Sequence, residues 1–295
     1  MNKSILSTSL FLVLVMLLVA CGSNNSSEIT EKNSNQSQEV SEMTNKEKAV
    51  AVLESLESGE KKAVEDFISS EKYIQHNLDF ENGREGLIGS LDYLKSVGTK
   101  VDVKRVIEDG DLVAVHSEYE LNGPKAVFDI FRFENGKIVE HWDNIQETVT
   151  DTASGHSMLD GETEIKDVDK TAENKELVEN FVKDVLMGQN PDKLTSYFDG
   201  DNYIQHNPYI ADGLSGLGKA LEEWAKQGIT MQYDKVHLVV AEGNFVLTVS
   251  EGTLGGSHTS FYDLFRVESG KIAEHWDVLE TIPPKDEWKN INGKF

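Results

Sequence analysis

The sequence predicts an α+β fold made twice, as two tandem domains in each of which about three helices precede a curved antiparallel sheet. Three observations carry this expectation. Residues 128–143, FDIFRFENGKIVEHWD, and 262–277, YDLFRVESGKIAEHWD, agree at 11 of 16 positions, so one unit is written twice. Each copy sets β-branched and aromatic residues on both sides of Asn135-Gly136 or Ser269-Gly270, dipeptides that accept the positive φ values of a two-residue hairpin turn. Helical periodicity comes first in both copies and strands second, an order that lays helices on one face of a sheet.

The chain opens with Lys3 and an apolar run at 5–17, the pattern of an export signal and too short for a comfortable membrane span. That run leads into Leu18, Val19, Ala20, Cys21 and Gly22, which resemble the lipobox of bacterial lipoproteins. The resemblance implies removal of residues 1–20, a diacylglycerol on the Cys21 thiol, and an exported protein anchored at the cell membrane, facing outside the cytoplasm. Cys21 is the one cysteine, so no intrachain disulfide competes for it. Residues 21–45 are rich in Ser, Asn, Gln and Glu and read as a flexible tether.

The first domain is expected over 46–148. Ala49, Val52, Leu53 and Leu56 recur at helical spacing before Gly59, a short helix fits 63–68, and Leu87, Leu91 and Leu94 share the face of a third helix ending at Gly98. Strands follow at 101–107 and 112–120, and the repeated hairpin completes the sheet. After a linker at 149–172, the second domain (173–295) repeats the plan. Leu177, Phe181, Val182 and Val185 precede Gly188, Pro191 opens a short helix, and Leu217, Leu221 and Trp224 precede Gly228. Tyr73, Ile74, Gln75, His76 and Asn77 recur letter for letter at 203–207.

A formal net charge of −24 argues against a nucleic-acid partner and against basic-patch docking on an anionic membrane. The chemistry is sought in the hairpins. Alternation along a strand puts Asp129 on one face with Val127, Phe131 and Phe133, and puts His141 and Asp143 together on the return strand. A carboxylate among aromatics is poorly solvated, so its pKa rises toward the range of a general base, and an adjacent imidazole can donate to a developing enolate oxygen. The alternative is structural: Asp129 hydrogen-bonds a histidine or Arg105 and satisfies a buried polar site.

The order of elements, the Tyr-Ile-Gln-His-Asn stretch, the Leu-Val-Ala-Val-His116 strand and the repeated hairpin resemble the SnoaL-like branch of the nuclear-transport-factor-2-like superfamily. That resemblance implies cones: a bent sheet wrapped around helices, enclosing an apolar pocket. It also implies, for some members, cofactor-free polyketide-cyclase or isomerase chemistry by a pocket carboxylate. Carried over, the acid–base aspartate is Asp129 and, more weakly, Asp263. The supporting histidine is His116, and the polar pair after the helices is His76 with Asn77 and His206 with Asn207. Val249 stands opposite His116, and Leu78 stands where the second copy keeps Pro208, so the copies differ and the first is favoured. Phe131, His141 and Asp143, with Phe265, His275 and Asp277, are expected to contact ligand, the His and Asp of each set at the pocket rim. No cofactor is implied. Convergence of His76, His116, Asp129 and His141 on a metal lacks any short His spacing in support, so no metal is expected.

Three functions fit this pattern. The first is a surface lipoprotein whose pockets capture a small apolar or carbonyl-containing molecule, which export favours. The second is a cofactor-independent cyclase, isomerase or aldol-type enzyme using Asp129 with His116; the third is a non-catalytic interaction module. The faces opposite the pockets, with Ala126, Phe128 and Ile130 in one copy and Tyr262 and Leu264 in the other, are too apolar for water. They are expected to pack together as an internal pseudo-dimer in a monomeric protein, the linker passing around the outside.

Overall fold

The computed structural model describes residues 43–295; the expected export signal, Cys21 and nearly all of the expected tether lie outside those residues. Helix α1 (Asn45–Ser58) starts one residue before the expected domain boundary because Thr44 caps it. The Thr44 side chain accepts from the Glu47 N–H, and the Glu47 carboxylate takes the Thr44 N–H at 2.7 Å, so two orphan donors are satisfied reciprocally. α2 (Lys62–Phe67), β1 (Ile74–Gln75) and α3 (Arg84–Ser96) lead to a meander of β2 (Lys100–Asp109), β3 (Leu112–Glu120), β4 (Pro124–Glu134) and β5 (Lys137–Glu147).

The second domain opens with α4 (Thr171–Phe181), which begins inside the expected linker and runs into one wider π-type turn at Val182–Leu186. The segment opened by Pro191 is a 3-10 helix, Pro191–Tyr197. β6 (Ile204–Gln205), α5 (Gly213–Lys226), β7 (Met231–Glu242), β8 (Phe245–Leu254), β9 (Ser257–Glu268) and β10 (Lys271–Thr281) complete it. The sheet orders are β1-β5-β4-β3-β2 and β6-β10-β9-β8-β7, antiparallel except for the parallel edges β1 and β6.

Both hairpin turns take the conformation their dipeptides demand, with φ of 51° and 75° at Asn135 and Gly136, and of 51° and 73° at Ser269 and Gly270. A register shift next to each turn then sets Phe131 opposite His141 and Asp129 opposite Asp143. It likewise sets Asp263 opposite Asp277. The concave faces hold two apolar clusters, built on Ala49, Val52, Leu91, Val115 and Phe131 in the first domain and on Val178, Phe181, Val246 and Phe265 in the second.

The convex faces share a third cluster containing Phe128, Ile130 and Trp142 from one sheet and Leu247, Tyr262, Leu264 and Trp276 from the other. Polar contacts cross the same boundary: Asn144 Nδ2 donates to the Ser260 and Val278 carbonyls at 3.0 and 2.7 Å. The linker does not stay outside. Met158 and Leu159 are buried in the shared cluster, and Arg105 donates to the carbonyls of Leu159, Asp160 and Glu162 while stacking 4.2 Å above Trp276.

Linker and C-terminal tail play matching parts. The Ala153 N–H donates to the Pro208 carbonyl and the Ser157 carbonyl meets His206 Nδ1 at 2.7 Å. The Lys289 N–H donates to the Leu78 carbonyl and the Gly293 carbonyl meets His76 Nδ1 at 2.9 Å. One residue further on stand Met158 in the linker and Lys294 in the tail. The third helices differ more: Leu91 on α3 is fully buried, whereas its counterpart Leu221 on α5 is 40% exposed, so α5 stands off its sheet.

Candidate functional site

The site of the first domain is built by three neighbouring strands. Asp129 comes from the middle of β4, His141 and Asp143 from β5, and Gln75 from the edge strand β1, all on the concave face and all buried. Tyr119, near the end of β3, reaches in and donates to Asp129 Oδ2 at 2.7 Å. His141 Nε2 lies 3.0 Å from Asp129 Oδ1, and its Nδ1 lies 2.9 Å from Gln75 Oε1.

The Gln75 amide is oriented by the Asn77 backbone N–H, which donates to Oε1 at 2.8 Å. Oε1 is therefore an acceptor, His141 Nδ1 must carry a proton, and only Nε2 can exchange one. Nε2 and Asp129 Oδ1 thus hold one proton between them. Burial, the largest influence, raises the Asp129 pKa and the charge of Asp143 adds to it; the His141 contacts and the Tyr119 hydrogen bond partly offset the rise. Asp143 is held by Asn77, whose Nδ2 donates to Oδ2 at 2.5 Å, while Lys294 Nζ of the tail stands 3.6 Å from Oδ1.

These groups border a cavity of about 50 Å³ whose other walls include Leu53, Leu87, Phe80 and Phe131. At roughly 10–15 Å³ of such volume for one water, it holds a few solvent-sized atoms.

The second domain repeats the arrangement. His275 bridges Gln205 Oε1 (2.9 Å) and Asp263 Oδ1 (3.1 Å), the Asn207 N–H orients Gln205 at 2.8 Å, and Asn207 Nδ2 donates to Asp277 Oδ2 at 2.6 Å. The phenol arrives differently. Gly252 occupies the strand position of Tyr119, and Tyr233, directly across on β7 where the first domain has Val101, donates to Asp263. A Cβ on Gly252 would lie 1.9 Å from the Gln232 carbonyl oxygen, so no side chain fits there. Two strands thus reach the same phenol–carboxylate bond by alternative routes. Burial pushes the Asp277 carboxyl up to about 6, with the His275 charge opposing. Burial alone would lower His275, but the Asp263 hydrogen bond and the charges of Asp277 and Asp263 raise it.

Three expected site histidines lie elsewhere. His116 pairs across β3–β4 with Phe128, not with Asp129, whose neighbour is Val115; it therefore points to the convex face and stacks on Phe128 at 4.1 Å. His76 and His206 follow the inward Gln75 and Gln205 by one residue and point outward. They stack on Trp142 and Trp276, bind Glu140 and Glu274, and are covered by tail and linker. His76 and His116 therefore do not converge with Asp129 and His141. Asn77, Phe131, Asn207 and Phe265 lie on the concave faces as expected. His141, His275, Asp143 and Asp277 are central rather than at the rim; Gln75 and Gln205 are additions whose sequence signal was the repeated stretch at 73–77 and 203–207, and Tyr119 and Tyr233 are additions that no local pattern marked.

Two bent sheets wrapped on helices, each enclosing an imidazole–carboxylate pair in an apolar interior, define a protein of two tandem α+β cones. The SnoaL-like domain family matches residues 49–141 and 178–275, more than half of the chain, and the chain belongs to that family. A comparison with curated proteins gave no match. Similar solved structures include IdmH from Streptomyces antibioticus, named as a candidate polyketide cyclase (18% identity, 34% of this chain and 89% of that one, TM-score 0.30). TsrD from Streptomyces laurentii is similar at 16% identity over 35% of this chain and 92% of its own, TM-score 0.30. An NTF2-like protein of unknown function from Cytophaga hutchinsonii is similar at 14%, over 36% and 94%, TM-score 0.31.

Proposed function

We propose that the protein is a lipid-anchored surface protein whose first domain captures a small, largely apolar carbonyl compound and moves a proton on it without a cofactor. The observation that carries this reading is the fixed His141 tautomer. With Nδ1 committed to Gln75, one proton is shared between Nε2 and Asp129 beside a small, mainly apolar cavity, so the member without the proton can take one α to a carbonyl while the member that holds it donates to the developing enolate oxygen. Tyr119 supplies an O–H beside the same carboxylate.

The cavity admits a compound of this kind only if α3 moves, and the outward stance of α5 supports such a movement of the equivalent helix. The two sheets, back to back across the shared apolar cluster, act in this reading as an internal pseudo-dimer that leaves the concave sites facing away from each other. Cleavage before Cys21 and a lipid on its thiol set the protein outside the cytoplasm.

The test is deuterium exchange at the α-carbon of a small β-diketone in D2O, followed by proton NMR. Asp129→Asn is expected to lower the protein-catalysed rate by about 10²–10⁴-fold. The fold should survive, because an Asn side chain can donate to His141 Nε2 and still accept from Tyr119. An unchanged exchange rate in the variant would rule out Asp129 as the base, and ligand affinity with no exchange in the wild type would leave a binding protein only.

A further inference from the structure

The two sites look alike but differ in what balances their carboxylates. In the first, the tail brings the Lys294 ammonium to 3.6 Å from Asp143 Oδ1, although that ammonium also binds Glu280 at 2.8 Å. In the second, the residue at the matching place of the covering segment is Met158; Asp143 Oδ1 and Asp277 Oδ1 are both buried without a hydrogen-bond partner among the described residues, but only Asp143 has an ammonium beside it. The neighbouring strand adds Thr248, which pairs with Asp263, where the first domain has Val115; its Oγ1 is likewise buried and unpartnered.

Asp263, His275 and Asp277 each offer a ligand atom, and these atoms all lie within 4.8 Å of one another. Every one of the three is oriented from behind. Tyr233 donates to Asp263, Asn207 Nδ2 donates to Asp277 Oδ2, and Gln205 Oε1 takes the His275 Nδ1 proton, which leaves Nε2, facing the carboxylates, as the nitrogen that can bind an ion when the proton it shares with Asp263 is displaced. Supporting hydrogen bonds on the far atom of each ligand are what metal centres use to fix tautomer and aim. His275 Nε2 and Asp263 Oδ1 stand 3.1 Å apart, and two adjacent ligands about 2.1 Å from a six-coordinate ion are separated by roughly 3.0 Å.

We infer that the second domain binds one divalent first-row transition ion through Asp263, His275 and Asp277, with Lys294 keeping such an ion out of the matching site of the first domain. One imidazole nitrogen with two carboxylate oxygens suits Mn²⁺, Fe²⁺ or Zn²⁺. This goes beyond the acid–base reading of the first domain and does not depend on it.

The test uses the full chain in detergent, stripped with a chelator and titrated with MnCl2, free Mn²⁺ being read by electron paramagnetic resonance. One tight equivalent per chain is expected, accompanied by a higher thermal midpoint. Asp277→Asn should weaken that equivalent at least 100-fold, while Asp143→Asn in the first domain should leave it in place. His275→Gln, expected to weaken binding as much, serves if Asp277→Asn does not fold. Weak, non-saturating Mn²⁺ uptake on the acidic surface only, or a tight equivalent that survives both Asp277→Asn and His275→Gln, would overturn the assignment.

Discussion

His116→Val puts into the first domain the residue that the second carries at the matching place, Val249, and it separates a packing histidine from a catalytic one. The imidazole is 2% exposed, stacked on Phe128, and faces Leu247 and Leu264 of the other domain. Its Nδ1 lies 3.2 Å from Arg105 Nη1, a donor that cannot accept, so Nδ1 is bare. Burial, then the charges of Arg105, His206 and Lys104, hold its pKa well below the ordinary 6.5.

Below pH 6.5 the unfolded chain therefore binds a proton that the folded chain refuses, and stability falls as pH falls. For an unfolded pKa of about 6.5 the linkage amounts to about 1.4 kcal/mol between pH 7.5 and 5.5. The valine variant lacks this loss. Whatever the substitution costs at pH 7.5, its deficit relative to wild type should shrink by that amount at pH 5.5, or by about 3–6 °C in thermal midpoint for a protein of this size. Circular-dichroism melts of both proteins at the two pH values measure it. A deficit that is the same at both pH values would refute the reasoning, as would loss in the valine variant of the α-proton exchange proposed for Asp129, since His116 does not line that cavity.

Three more outcomes follow from the packing and the sequence. Arg105→Lys should cost about 3 kcal/mol or more in urea unfolding, because an ammonium cannot replace a planar fork that serves three linker carbonyls and lies over Trp276; a loss under about 1 kcal/mol would contradict this. Residues 46–150 expressed alone should self-associate or aggregate, since Phe128, Ile130 and Trp142 lose their cover, and a soluble monomer in analytical ultracentrifugation would count against the paired sheets. Cys21→Ser should shift the protein from the membrane fraction to the medium or leave the signal uncleaved; unchanged fractionation of the variant would speak against the lipid anchor.

Much of the cone was legible because a strand has period two. Asp129 had to share a face with Phe131 and Phe133, and the Asn-Gly and Ser-Gly turns named their own geometry. Register between strands was not legible, because it depends on turn length and bulges that local pattern does not fix. The turn between β3 and β4 places Val115, not His116, beside Asp129, so a histidine expected in the pocket went to the convex face. The bulge after Asn135-Gly136 did the reverse for His141, bringing it opposite Phe131 and against Asp129. The move of the phenol from β3 to β7 has no local signature at all, since Tyr233 meets Asp263 only through the pairing of Tyr233 with Gly252. Nor could the cover over His76 and His206 be read, being made by chain more than 200 and nearly 50 residues away.

The central claim is that His141 and Asp129 share one proton because Gln75 fixes the other. Nitrogen-15 NMR of the imidazole tests it most directly, with His141 assigned by His141→Gln. The hydrogen bonds predict a protonated Nδ1, and predict that Gln75→Glu or Gln75→Ala disturbs the Nε2 signal in step with Asp129→Asn. An Nε2–H tautomer with a bare Nδ1 would contradict the claim.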